Sequence, residues 1–108
     1  MPNYNKAIFM GRLVRDPDFR ITPYDQLKAN TAIAINHDWI NQPVGEKRGT
    51  VYFIDIEATG RNAEVLNACF EKGSSIHVEG YLRYWKWKKG NGDIRSKHYL
   101  MVASLHFS

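Results

Sequence analysis

Thr50-Val51-Tyr52-Phe53-Ile54-Asp55-Ile56-Glu57-Ala58-Thr59, followed by Gly60-Arg61-Asn62-Ala63-Glu64-Val65-Leu66-Asn67-Ala68-Cys69-Phe70-Glu71-Lys72-Gly73, changes its period midway. The first ten residues alternate. Tyr52, Ile54, Ile56 and Ala58 share one face, and Val51, Phe53, Asp55, Glu57 and Thr59 the other, which is the pattern of a half-buried strand. Phe53 is an aromatic on the polar face, the informative kind of exposure. It serves either as a binding ring or as cover for a neighbouring strand or subunit. Gly60-Arg61-Asn62 breaks the strand. Asn62 then reads as an N-cap, with Glu64 in the first turn. Val65, Leu66, Cys69 and Phe70 form an apolar helical stripe that puts Cys69 in the core. Gly73 reads as the stop of a helix of about two to three turns.

Four more strands surround this unit. Lys6 to Val14 is extended, with Gly11 at a bulge or bend. After Asp16-Pro17-Asp18, Phe19 to Thr22 resumes it briefly. Leu27 to Trp39 is a long strand with Ala29, Thr31, Ile33 and Ile35 on one face and Lys28, Asn30, Ala32, Ala34 and Asn36 on the other. Ile40 to Gly49, with its Asn, Pro and two Gly, reads as a mobile loop. Ser75 to Trp87 is a strand in which Gly80 marks a bulge or a close approach. Lys88 to Asp93 contains the hairpin signal Gly90-Asn91-Gly92. The last strand starts at Ile94 or Arg95 and runs to Phe107. Its alternation puts Tyr99, Met101, Ala103, Leu105 and Phe107 on one face and Leu100 and Val102 on the other, so its middle is apolar on both sides. The chain is thus all-β with one short helix. Five strands with the helix between the third and fourth is the element order of an OB-fold, a five-stranded Greek-key barrel. The length of 108 residues suits one such domain, spanning 1–108.

Tyr81-Leu82-Arg83-Tyr84-Trp85-Lys86-Trp87-Lys88-Lys89 carries four aromatics, four cations and one leucine. On a strand Trp85 and Trp87 share a face with Tyr81, Arg83 and Lys89, and Leu82, Tyr84, Lys86 and Lys88 take the other. Rings beside cations suit a flat, unsaturated polyanion, which is to say single-stranded nucleic acid. The competing reading is a hairpin whose rings pack on their own neighbours. Between positions 83 and 97 lie six cations and one acid, a net +5, whereas the whole chain carries +4. The basic charge is therefore a patch.

The one cysteine, Cys69, leaves no internal disulfide, and the four histidines show no ligand spacing. No metal or other cofactor is implied. No apolar run reaches membrane length and no signal peptide opens the chain. The expected compartment is cytoplasmic, with the nucleoid implied by the polyanion.

Asn5-Lys6 with Gly11-Arg12-Leu13, Asp16-Pro17 with Arg20, and Ala34 followed by Trp39 come in a particular order. After them come Gly60-Arg61-Asn62-Ala63-Glu64, Lys72-Gly73-Ser74, Val78-Glu79-Gly80-Tyr81-Leu82 and Lys86-Trp87. In order and spacing the chain resembles a bacterial-type single-stranded DNA-binding protein. The resemblance implies stacking by Trp39, Phe53 and Trp87, and a strand path along Lys6, Arg20, Arg61, Lys72 and Lys86. Alternation alone aligns Trp39 with Ile33 and Ile35, so its residues leave a core role equally open. Thr59 stands where the family usually has a stacking aromatic. Trp85 is the candidate replacement, and Lys88 beside Trp87 is a further candidate contact. Asp55 and Glu57 depart from the pattern by putting negative charge on the face meant for phosphate. The family usually ends in an acidic tail that recruits replication and repair enzymes, and this sequence stops at Ser108. Either a tail was removed or the protein is a tailless relative. The resemblance also implies a homo-oligomer, a tetramer ahead of a dimer, acting in replication, recombination or repair.

Two other classes compete. A primosomal replication protein-like interaction module would share the fold. An enzyme would need more than Asp55-x-Glu57, which is at best half of a metal-dependent nuclease site. No further acids or base converge on that pair in the sequence, so no enzymatic activity is expected.

Overall fold

The computed structural model describes residues 3–41 and 46–107; of 37–41 and 46–48 it describes the backbone alone. Six strands and one helix follow in the order β1 (Ala7–Leu13), β2 (Asp18–Ile21), β3 (Leu27–Asn41), β4 (Glu46–Thr59), α1 (Arg61–Cys69), β5 (Ser75–Lys88) and β6 (Ile94–Phe107). The sheet order is β1-β5-β6-β4-β3-β2, and β1 also pairs with β3 through Arg12–Ala34 and Leu13–Ile33. That second pairing closes β1, β3, β4, β5 and β6 into the five-stranded barrel expected. The short β2 is the brief resumption after Asp16-Pro17, laid along β3 as an outer strand.

Closure needs β1 to press against β3, and glycine permits it. A Cβ on Gly11 would run into the carbonyl oxygen of Ala34. Ile33, Ile56, Leu66, Ile76, Val78 and Leu100 form the fully buried centre, contributed by β3, β4, α1, β5 and β6. Thr31 is buried too, and its hydroxyl donates to the Arg15 carbonyl 2.9 Å away, tying the β1–β2 turn to β3.

Four expectations need correction. The β3–β4 ladder continues to Asn41–Glu46, so most of the Ile40–Gly49 segment is strand; antiparallel pairing runs through the backbone and tolerates Gly49 opposite Asp38. Asn62 is not the N-cap. Gly60 holds that place with φ +60°, and the Asn62 amide donates instead to the carbonyls of Val102 and Ala103. Gly73 is not the helix stop, because α1 ends at Cys69 and Phe70 is already extended. Gly73 sits in the following turn, where its N–H donates to Leu13. Finally, Cys69 is exposed. The buried stripe is Ala63, Leu66 and Phe70, and Phe70 stacks on Phe107 with centroids 4.6 Å apart; Cys69 lies about 100° round the helix axis from that line.

The last strand also departs from strict alternation. Glu79 pairs with Ser104 but Gly80 with Val102, so Ala103 is an extra residue. This bulge reverses the phase of everything after it. Leu105 therefore opposes Val78 and Phe107 opposes Ile76, both on the core side, where alternation had placed them with Met101. Leu100, Met101 and Val102 are all buried, as the doubly apolar middle implied.

Candidate nucleic-acid interface

The outward face of the barrel is built from alternating residues of four neighbouring strands. β3 supplies Lys28 and Asn30, β4 supplies Phe53, Asp55 and Glu57, β6 supplies Lys97 and Tyr99, and β5 supplies Trp85. With Arg15 from the β1–β2 turn, most of these line an open cleft of about 490 Å³. Arg15 is aimed there because Thr31 holds its carbonyl and the Val14 N–H donates to Ala32.

Trp85 is 52% exposed and forms one wall. It stacks on Trp87, so the alternation that put both rings on one face holds. Phe53 is 68% exposed, two residues along β4 from Asp55 and so roughly 7 Å farther on the same face. Lys97 Nζ lies 5.8 Å from the centre of the Trp85 ring and donates to Asp55 at 3.1 Å. Lys28 pairs with Glu57 at 3.0 Å. The cleft thus contains three cations and two carboxylates, a net +1.

The cations named from the sequence scatter more widely. Arg20, on β2, sits opposite Lys28 and shares its face. Its guanidinium is bound to Asp18, whose hydrogen bond raises the Arg20 pKa and lowers that of Asp18. Lys6 pairs with Glu79 beside β1. The hydrogen bond between them holds the Lys6 ammonium above its ordinary range and the Glu79 carboxyl below its own. Arg61 opens α1 and Lys72 follows it, and neither lines the cleft. Lys86 and Lys88 are exposed on the hairpin face opposite the tryptophans. The side chain of Trp39 lies outside the described residues.

Sequence reasoning put Arg83 and Lys89 on the ring face but missed the cations that the partner strand brings to it. Across the hairpin Trp85 faces Lys97 and Trp87 faces Arg95. The signal was available, since a turn centred on Asn91 pairs residues whose numbers sum to twice 91. Arg15 carried no comparable signal, because only the fold brings its turn over the cleft.

Residues 4–108 match the single-strand binding protein family model. The chain belongs to that family. It is 38% identical over 102 residues to a single-stranded DNA-binding protein of Wolinella succinogenes, covering 94% of this chain and 62% of the relative. With the Helicobacter hepaticus protein of the same name it shares 37%, covering 94% and 59%. The chain thus spans about three-fifths of the length of the curated relatives it matches. Among solved structures, a deletion mutant of the single-stranded DNA binding protein from Thermus aquaticus superposes with a TM-score of 0.80 at 26% identity, over 97% of this chain and 50% of that one. The Plasmodium falciparum SSB complex with ssDNA gives a TM-score of 0.89 at 21% identity, over 100% of this chain and 97% of that one, a likeness of fold.

Proposed function

We propose that residues 1–108 act as one OB-fold domain that binds single-stranded DNA with little sequence restriction, in replication, recombination or repair. One observation carries the reading: the exposed ring wall of Trp85 and the exposed Phe53 stand on the same barrel face as Arg15, Lys28 and Lys97. Rings take the faces of unpaired bases and cations take phosphates. The relatives named above are single-stranded DNA-binding proteins, and the Plasmodium protein of the same fold is in complex with single-stranded DNA. Those names favour strand binding over an interaction module of the same fold. Trp39, Trp87, Lys6, Arg20, Arg61 and Lys72 extend the path on the family pattern, and Lys86 and Lys88, on the opposite hairpin face, add weaker contacts to it. Asp55 and Glu57 are each held by a lysine, and no group of three or more His, Cys, Asp or Glu suited to a metal occurs among the described residues.

The working form we propose is a homo-oligomer, a tetramer ahead of a dimer, associated with the nucleoid and open to replication or repair partners. The exposed Ile8 and Met10 of β1 offer apolar surface for self-association. No described helix is long and apolar enough to cross a membrane. The test is fluorescence titration with a thymidine oligomer. Strong tryptophan quenching by the single strand, and little by duplex, is expected; equal quenching by both, or none, would refute the reading.

A further inference from the structure

Asp55 and Glu57 are the anomaly of the face. A surface meant only for phosphate gains nothing from carboxylates. Neither acid is remote from the rings: both line the cleft that Trp85 walls. Their side chains are 38% and 19% exposed, so both are partly desolvated. Lys97 engages one oxygen of Asp55, and Lys28 engages one oxygen of Glu57. The second oxygen of each carboxylate has no other partner among the described contacts. Each lysine thus fixes one oxygen of its carboxylate, and the other oxygen remains an available acceptor on a residue that lines the cleft.

We infer that Asp55 and Glu57 read the base stacked in the Trp85 cleft, favouring bases with an exocyclic amine over thymine. The inference rests on the strand-binding reading above. A carboxylate accepts from the N4 amine of cytosine, and the bases of single strands are open to hydrogen bonding on their Watson–Crick edges. The lysine beside it can donate to cytosine N3. Thymine offers one N–H, flanked by two carbonyls, so a carboxylate that accepts from it meets a repelling oxygen. Cytosine and thymine stack with similar area, which isolates the hydrogen bond as the difference. Stacking and phosphate contacts supply affinity for any strand, and the carboxylates add a bias.

The test is the affinity of the full chain for cytidine and thymidine oligomers of equal length, as wild type, Asp55→Asn and Glu57→Gln, with melting checked on each variant. The wild type should prefer the cytidine oligomer roughly three- to tenfold, the scale of one ordinary net hydrogen bond. In Asp55→Asn the ratio should fall toward one, because an amide can also donate to thymine O4. Equal wild-type affinity for both oligomers overturns the inference and leaves strand binding standing. A parallel rise for both oligomers in Asp55→Asn also overturns it, since the carboxylate would then only mask Lys97. Failure of both oligomers to bind removes strand binding itself, and the inference with it.

Discussion

Trp85 and Trp87 stack on each other, with ring centroids 4.7 Å apart and planes 29° from parallel. Each ring therefore spends one face on the other. Trp87 is half-buried and Trp85 keeps its outer face over the cleft. The two are not equivalent platforms: Trp87 braces the ring that Trp85 presents.

Trp85→Ala should therefore weaken single-strand binding roughly five- to a hundredfold, the range for loss of one stacking ring. Melting should barely change, because an exposed ring loses little burial. Trp87→Ala should weaken binding less than Trp85→Ala does and lower the melting temperature slightly more. Affinity and melting measured on both variants check this. Equal binding losses would show that each ring stacks on a base independently.

Salt should expose which hairpin face meets phosphate. Five to eight cations on the path, each contributing about −0.7 to the slope of log affinity against log salt, give a total between about −3.5 and −5.6. Arg95→Ala removes a cation facing Trp87 and should flatten the slope by about 0.7. Lys86→Ala, on the opposite face, should change it less. A larger effect at Lys86 would route the strand over the other face of the hairpin.

These contrasts show where the sequence was legible. Alternation placed Phe53, Asp55 and Glu57 on the outer face correctly, because β4 is regular and buries its other side. Gly80 betrayed a close approach because only glycine leaves that space, whereas Gly11, read as a bulge or bend, stands in regular register with β5 and is needed for the contact with Ala34. The phase of Leu105 and Phe107 was hidden, since the extra residue Ala103 has no mark of its own in the sequence. Its carbonyl is met by Asn62, whose amide the local sequence assigned to capping. Tertiary demand overrode a local preference there. The cleft lysines Lys28 and Lys97 stood on readable strands, but their pairing with Glu57 and Asp55 depends on β4 running beside both β3 and β6.

The Lys6–Glu79 pair predicts a shallow pH dependence of stability. The Glu79 pKa is lowered in the fold, chiefly by its hydrogen bond from Lys6, so its contribution is present above the ordinary value of 4.5 and is lost as pH falls through the lowered one. The Lys6 pKa is raised, so its contribution is present below the ordinary 10.5 and is lost as pH rises through the raised value. Lys6 is exposed and Glu79 partly so, and the effect is correspondingly small. Glu79→Gln should lower the melting temperature slightly at neutral pH and leave it nearest to wild type in strong acid. A deficit that grows on acidification would assign Glu79 another role.

The bulge yields the sharpest stability prediction. Gly80 lies where β5 and β6 slip register, and a Cβ there would run into the carbonyl oxygen of Met101 and crowd the Ala103 nitrogen. These are backbone atoms in the barrel wall, flanked by the buried Val78 and Val102, so no flexible side chain can swing aside. Gly80→Ala must either force the strands apart or expel the bulge, and expulsion would turn Leu105 and Phe107 away from the core. Overpacking of this kind costs up to about 3 kcal/mol, a fall in melting temperature of roughly 10–20 °C for a domain of this size. Gly90 is the control. It lies in the hairpin turn with open space around its Cβ position and no left-handed φ. Gly90→Ala should leave stability unchanged or raise it by about 0.4–1 kcal/mol through a less flexible unfolded chain. Thermal melting of the two variants side by side tests the argument. If Gly80→Ala melts like Gly90→Ala, the close approach of β5 and β6 at the bulge is wrong, and so is the rephasing that places Phe107 against Phe70.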